Sequence, residues 1–196
     1  MKSRIAVLIL LLSVVMISPT AQAFRFSVGA FGGLNFPLVQ EDAKSGTVMG
    51  LKARVPLTAF LAVEPNYTYL KNGDGEVKVT RLGDITMTRD GGKYSTFGID
   101  LVFGGVSGYK GFNAYGIVGV ASAKFTKKGP PALTKGSLWL GVGFEFGITD
   151  YISADFRGKA LIFPYKDDSY SDGDTGSRKN GIVTVGLNYY FGISEE

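Results

Sequence analysis

The chain of 196 residues has no cysteine and no histidine. Without cysteine there is no disulfide framework, so stability has to come from an extensive hydrogen-bond network or core. Without histidine, the commonest general base and the usual metal ligand are missing together, and Ser-His-Asp or Cys-His nucleophile systems are excluded. Charge of one sign is also scarce. The 21 Lys and Arg against 17 Asp and Glu leave a surplus of +4 spread along the chain, which gives no case for a nucleic-acid partner. Beyond residue 23 no segment approaches the roughly 18 apolar residues of a transmembrane helix. No enzymatic activity and no cofactor or metal are expected. The Asp-rich run Asp167, Asp168, Asp172, Asp174 lacks the spacing of a calcium loop, and Gly141-x-Gly143 leads into no helix.

Residues 1–23 read as a targeting segment. Lys2 and Arg4 give a positive start, Ile5 to Ile17 an apolar run too short for a comfortable span, and Ala21-Gln22-Ala23 a small-x-small cleavage site. Cleavage there makes residues 24–196 the mature chain, sized for one domain. What is plentiful is glycine, 28 residues, and aromatics at 13%. Glycine lets strands bend and aromatics gather at membrane interfaces, so this bias points to a β-barrel.

The rule of the chain is plainest in Asn180 to Phe191. Val183, Val185, Leu187, Tyr189 and Phe191 fall on one face, and Thr184, Gly186, Asn188 and Tyr190 on the other. Strand side chains alternate between faces, so one side is continuous hydrocarbon and the other small or polar. Thr184-x-Gly186-x-x-Tyr189-x-Phe191 resembles the C-terminal assembly signal of bacterial outer-membrane β-barrels, read by their insertion machinery. It departs from that pattern in continuing past Phe191 with Gly-Ile-Ser-Glu-Glu.

The same alternation recurs in Phe24–Phe36, Thr47–Val55, Ala59–Tyr69, Ser95–Phe103, Phe112–Phe125, Leu138–Phe146 and Tyr151–Phe163. In Phe112–Phe125 the parity is ambiguous because Gly and Ala occupy both faces. Short connections alternate with long polar ones, chiefly Lys71–Lys93 and Pro164–Lys179, and the first of these contains two segments able to raise a hairpin. Eight strands of about ten residues with this spacing predict an all-β, eight-stranded antiparallel up-and-down transmembrane β-barrel. Closure matters because lipid cannot satisfy an open backbone edge.

On the polar faces stand Lys52, Arg54, Glu64, Asp100, Glu145, Asp155, Arg157 and Lys159, four of each sign. An eight-stranded barrel is only wide enough inside for side chains, so charges there have to pair. Glu64 and Asp100 then read as charge partners rather than an acid–base couple. Tyr67, Tyr69, Tyr151 and Phe163 lie near strand ends, where interface girdles belong. A lipocalin-type barrel would turn the apolar face inward around a small lipid and would show the same alternation.

Over nearly the whole mature chain the pattern resembles the OmpA/OmpX-like family of eight-stranded outer-membrane barrels. The resemblance implies a location in the bacterial outer membrane, contact with the lipid bilayer and lipopolysaccharide, and dealings with the assembly machinery. It also implies a structural or surface-interaction role carried by the external loops, with no ligand singled out. A small conduit through the barrel and a soluble periplasmic lipid binder remain the alternatives.

Overall fold

Alternation of period two becomes nine antiparallel strands in the computed structural model. It describes residues 25–38, 43–79, 85–105, 111–129, 131–165 and 176–191. The expected targeting segment 1–23 and the Asp-rich run 167–174 lie outside the described residues. The strands are β1 (Phe26–Pro37), β2 (Ala43–Thr58), β3 (Leu61–Val79), β4 (Ile85–Arg89), β5 (Lys93–Gly104), β6 (Phe112–Thr126), β7 (Leu133–Gly147), β8 (Ile152–Tyr165) and β9 (Gly176–Phe191).

Eight of these close a barrel. The order runs β2, β1, β9, β8, β7, β6, β5, β3, and a further pairing of β2 with β3 joins the two ends. β1 lies against β9 with Phe26 opposite Phe191, so the first and last strands meet along a full seam. The ninth strand, β4, pairs only with the far end of β3, from Gly75 opposite Arg89 to Val79 opposite Ile85. β3 and β4 thus form a hairpin that continues beyond the barrel rim. This continuation explains why β2 starts at Ala43 rather than Thr47: Ala43 and Lys44 pair with Asp74 and Gly73 above an irregularity between Lys44 and Thr47.

Both chain ends of the barrel sit with the short connections. One of these, Gly147 to Ile152, is held by the Ile148 amide donating to the Ile152 carbonyl at 2.8 Å and by Thr149 Oγ1 accepting from the Ile152 amide at 3.0 Å. A short polar side chain that satisfies backbone amides makes so tight a reversal affordable without a longer loop.

The two faces of the wall separate cleanly. Leu101, Val142 and Leu187 are exposed on the outside, at 46%, 68% and 58%, while Arg54, Glu64 and Arg157 are buried inside at 5% or less. The inverted, lipid-filled arrangement is therefore not the one adopted. In β6 the undecided parity resolves with Tyr115, Ile117, Ala121, Ala123 and Phe125 inward and Val118 and Val120 outward.

The interior changes character along its length. Toward the short connections the charges stand beside a small apolar group of Ala62, Val102, Tyr115 and Ile117, and toward the long ones lies a hydrocarbon cluster built from Val48, Leu70, Tyr94, Phe125, Trp139, Leu161, Phe163 and Ile182. Phe163 corrects the expectation of an interface aromatic. It shares a face with Arg157, Lys159 and Leu161, is fully buried, and meets Tyr94 edge-on at 5.5 Å. Parity along β8 decides its direction, whatever its nearness to the strand end.

Candidate functional site

The eight charged residues of the polar faces come from five strands and converge inside the barrel. Lys52 and Arg54 are on β2, Glu64 on β3, Asp100 on β5, Glu145 on β7, and Asp155, Arg157 and Lys159 on β8. All eight are buried. They are brought together because each strand keeps its side-chain parity through the spanning length, so every second residue is delivered to the same narrow space.

Two arginines organise the cluster. Arg54 Nε donates to Glu64 Oε2 at 3.0 Å and Arg54 Nη1 to Glu145 Oε2 at 2.6 Å. Arg157 grips Glu64 with both terminal nitrogens, Nη2 to Oε2 at 2.8 Å and Nη1 to Oε1, and its Nε donates to Asp155 Oδ2 at 2.8 Å. The planar guanidinium suits such two-point contacts better than an ammonium does. Lys52 pairs with Asp155, and Lys159 with Asp100. Each carboxylate thus meets at least one cation, as a buried charge requires.

Residues outside the predicted set complete the arrangement. Tyr115 donates its hydroxyl to Asp155, and its ring lies beneath both guanidiniums, with Arg54 Cζ at 5.0 Å and Arg157 Cζ at 5.5 Å from the centroid. Glu145 also accepts from Ser153, from Tyr190 and, at 3.1 Å, from Asn188 Nδ2. Lys159 Nζ sits 4.5 Å from the centre of the Trp139 ring, where the charged part of the interior passes into the hydrocarbon cluster. Tyr190 and Asn188 were legible from the alternation of the last strand. Tyr115 was not, because it is flanked by Ala and Gly on both faces.

The four residues of the assembly-like pattern divide between the faces. Thr184 is buried inside, and Gly186 lies against β1, where an added Cβ would meet Ala30 O at 2.7 Å and Phe31 Cβ at 3.0 Å. Tyr189 and Phe191 face outward, edge to face at 4.8 Å, and Phe191 stacks on Phe26 at 4.7 Å. Of the remaining expected interface aromatics, Tyr67 and Tyr151 are exposed on the outside and Tyr69 is half-buried there.

Residues 7–191 match the family described as Outer membrane protein beta-barrel domain. The chain belongs to the outer-membrane β-barrel family. No curated protein sequence matches it. Among solved structures it is similar to Neisserial surface protein A, with a TM-score of 0.58 and 14% identity over 86% of this chain and 97% of that one. It is also similar to OprG of Pseudomonas aeruginosa, with a TM-score of 0.56 and 14% identity over 86% and 96%. The N-terminal β-barrel domain of Pseudomonas aeruginosa OprF gives 0.55 and 12% identity over 87% and 100%. At such identities the likeness is one of fold. For an outer-membrane β-barrel the exposed hydrocarbon wall is the surface turned to lipid, and the ionic cluster is its interior.

Proposed function

We propose that this outer-membrane barrel is a rigid, non-enzymatic platform with a closed lumen, whose working parts are the connections on the side away from the termini. The observation that carries this reading is the ion-pair cluster, which ties together strands on opposite sides of the barrel. A lumen filled by paired charges below and packed aromatics above leaves small room for a water column, and it stiffens the base that carries the β3–β4 hairpin and the ends of β8 and β9. The platform sits among bilayer lipids and lipopolysaccharide, with Tyr67, Tyr69 and Tyr151 as interface anchors. Thr184, Gly186, Tyr189 and Phe191 serve as the mark read by the assembly machinery, after export through a segment cleaved at residue 23.

Two measurements test it. Purified barrel in planar bilayers is expected to give no discrete current steps, and steady unitary conductance would sink the closed-lumen reading in favour of a conduit. Replacing residues 75–89 and 166–175 with short turns is expected to leave heat-modifiable migration on gels intact while abolishing surface binding or an envelope phenotype. A shortened barrel with unchanged phenotypes would remove the loops from the function.

A further inference from the structure

Where the hydrocarbon cluster ends, on the side of the long connections, three inward positions turn from hydrocarbon to amide. Asn72 stands two residues beyond Leu70 on β3, Asn180 two residues before Ile182 on β9, and Asn35 faces Ile182 from β1. Asn35, Asn72 and Asn180 are 0%, 1% and 1% exposed, so they do not serve to wet the mouth of the barrel. Their hydrogen bonds run to one another. Asn72 Oδ1 accepts from Asn35 Nδ2 and, at 3.2 Å, from Asn180 Nδ2. β1 and β9 are neighbours, but β2 stands between β1 and β3, so both bonds reach past at least one strand. Gly46 of β2 makes that possible: it pairs with Asn35, and a Cβ on it would strike Lys71 O and lie 2.9 Å from Asn72 Cα.

The rest of Asn72 holds the β3–β4 hairpin. Its Nδ2 donates to the Gly91 carbonyl at 2.9 Å and its backbone amide to the Gly92 carbonyl at 3.0 Å. Gly91 and Gly92 lie between β4 and β5, at the foot of the hairpin. A two-stranded hairpin with no third strand is marginal by itself, so its stance depends on that foot. Stability alone does not account for the three amides. Asn35 Oδ1 and Asn180 Oδ1 are buried with no partner among the described residues, an arrangement that costs free energy and that hydrocarbon, as at Val48 and Leu70, would avoid. What amides provide and hydrocarbon does not is a directional link among three strands.

We propose that Asn35, Asn72 and Asn180 form a latch that couples the β3–β4 hairpin to the ends of β1 and β9, so that a partner engaging the hairpin also alters the β1–β9 rim. With the latch closed, the Gly91–Gly92 foot is tied through Asn72 to both strands. With it open, Asn72 lets go of Asn35 and Asn180, the hairpin swings on its foot, and the Leu38 amide loosens its 2.8 Å bond to the Lys179 carbonyl, which carries the β1–β9 pairing past Pro37. Coupling of this kind acts in both directions. It deepens the platform reading and rests on it only in giving the coupled elements something to bind.

Amide hydrogen exchange, followed by NMR on the full barrel in detergent micelles, tests the latch, with heat-modifiable migration as the check that each variant folds. Asn180→Ala is expected to speed exchange of the β3 amides from Gly75 to Val79 about fivefold, the factor that one lost hydrogen bond of ordinary strength gives. Asn35→Ala provides a second variant with the same expectation. Asn72→Leu, which keeps the volume without the amide, is expected to speed exchange of the Leu38 amide by a similar factor. Ser137→Ala removes a buried hydroxyl elsewhere in the lumen wall and is expected to change neither region. Unchanged exchange in β3 and at Leu38 overturns the latch, as does an effect in one direction only. Equal acceleration by Ser137→Ala also overturns it, because that is general loosening. Coupling found together with loop replacements that leave every phenotype intact keeps the latch and removes the platform reading; loop replacements that abolish binding without any coupling do the reverse.

Discussion

Arg157 and Glu64 stand on strands four places apart in either direction around the barrel, and they are joined at 2.8 Å and by a second, parallel contact. Arg54 and Glu145, joined at 2.6 Å, likewise link opposite strands, β2 and β7. The two arginines share Glu64, so the braces are one structure rather than two.

That sharing makes Glu64 the position whose loss costs most. Glu64→Gln leaves Arg157 and Arg54 buried with only one carboxylate each. It is expected to lower the unfolding free energy by about 3–5 kcal/mol, the usual cost of breaking a buried pair from one side. Urea titration followed by heat-modifiable migration measures it, and a change under about 1 kcal/mol contradicts the role. The simpler Lys159 and Asp100 pair gives the complement: Lys159→Met alone is costly, while Lys159→Met with Asp100→Leu recovers most of the loss because no orphan charge remains.

Gly143 is a packing requirement. The Tyr115 ring covers it, and an added Cβ would come within 2.6 Å of both Cζ and Oη of Tyr115. Gly143→Ala has to displace a ring that lies beneath two guanidiniums and is tied by its hydroxyl to Asp155. A loss of about 1–3 kcal/mol is expected, as for other overpacked interiors. Tyr115→Phe keeps the ring and removes only the hydroxyl, so about 1 kcal/mol is expected. The reverse ranking in urea titrations would mean that the hydroxyl rather than the ring governs the site.

Phe191 stacks on Phe26 at the seam. Its proposed place at the end of the assembly signal is separable from that contact. Phe26→Ala and Phe191→Ala remove the same stack, so a purely structural role predicts similar yields of folded protein. An assembly role predicts that Phe191→Ala lowers the yield in the outer membrane severalfold more than Phe26→Ala. Pulse-labelling with heat-modifiable migration as readout distinguishes the two.

Asp90 supplies a pH-dependent element outside the membrane-spanning segments. The Gly92 amide, with help from the Lys128 amide, favours its ionised form and holds its pKa below the ordinary aspartate range. A depressed folded pKa means the stabilisation is complete above the unfolded value near 4 and is lost as pH falls through the lower folded value. The Gly92 and Lys128 amide signals are expected to titrate together by NMR with a midpoint below about 3.9, and Asp90→Asn abolishes the titration. Independent midpoints for the two amides refute the shared carboxylate.

Much of this was written in the alternation itself. Wherever a strand sets bulky hydrocarbon against charge, as in Phe97 to Phe103 or Ile152 to Lys159, parity alone assigns the side, and the inward charges follow. Two things escaped it. Tyr115 was hidden because small residues sit on both faces of β6 and period two carries no contrast there. Phe163 was misplaced because the inward face changes character along its length, from ionic to hydrocarbon. An apolar residue near a strand end then looks the same whether it meets lipid or core. Which charge pairs with which was also beyond the pattern, since partners such as Arg54 and Glu145 lie 91 positions apart and meet only through barrel closure.

Among the described residues β3 is the longest strand. β3 has 19 residues where about ten suffice to cross a bilayer, so roughly nine remain, or about 30 Å of strand at the usual rise. In the proposed orientation, with the long connections toward the cell exterior, that height matters more than area: an antibody or a phage fibre arriving from solution can touch this finger without entering the barrel mouth.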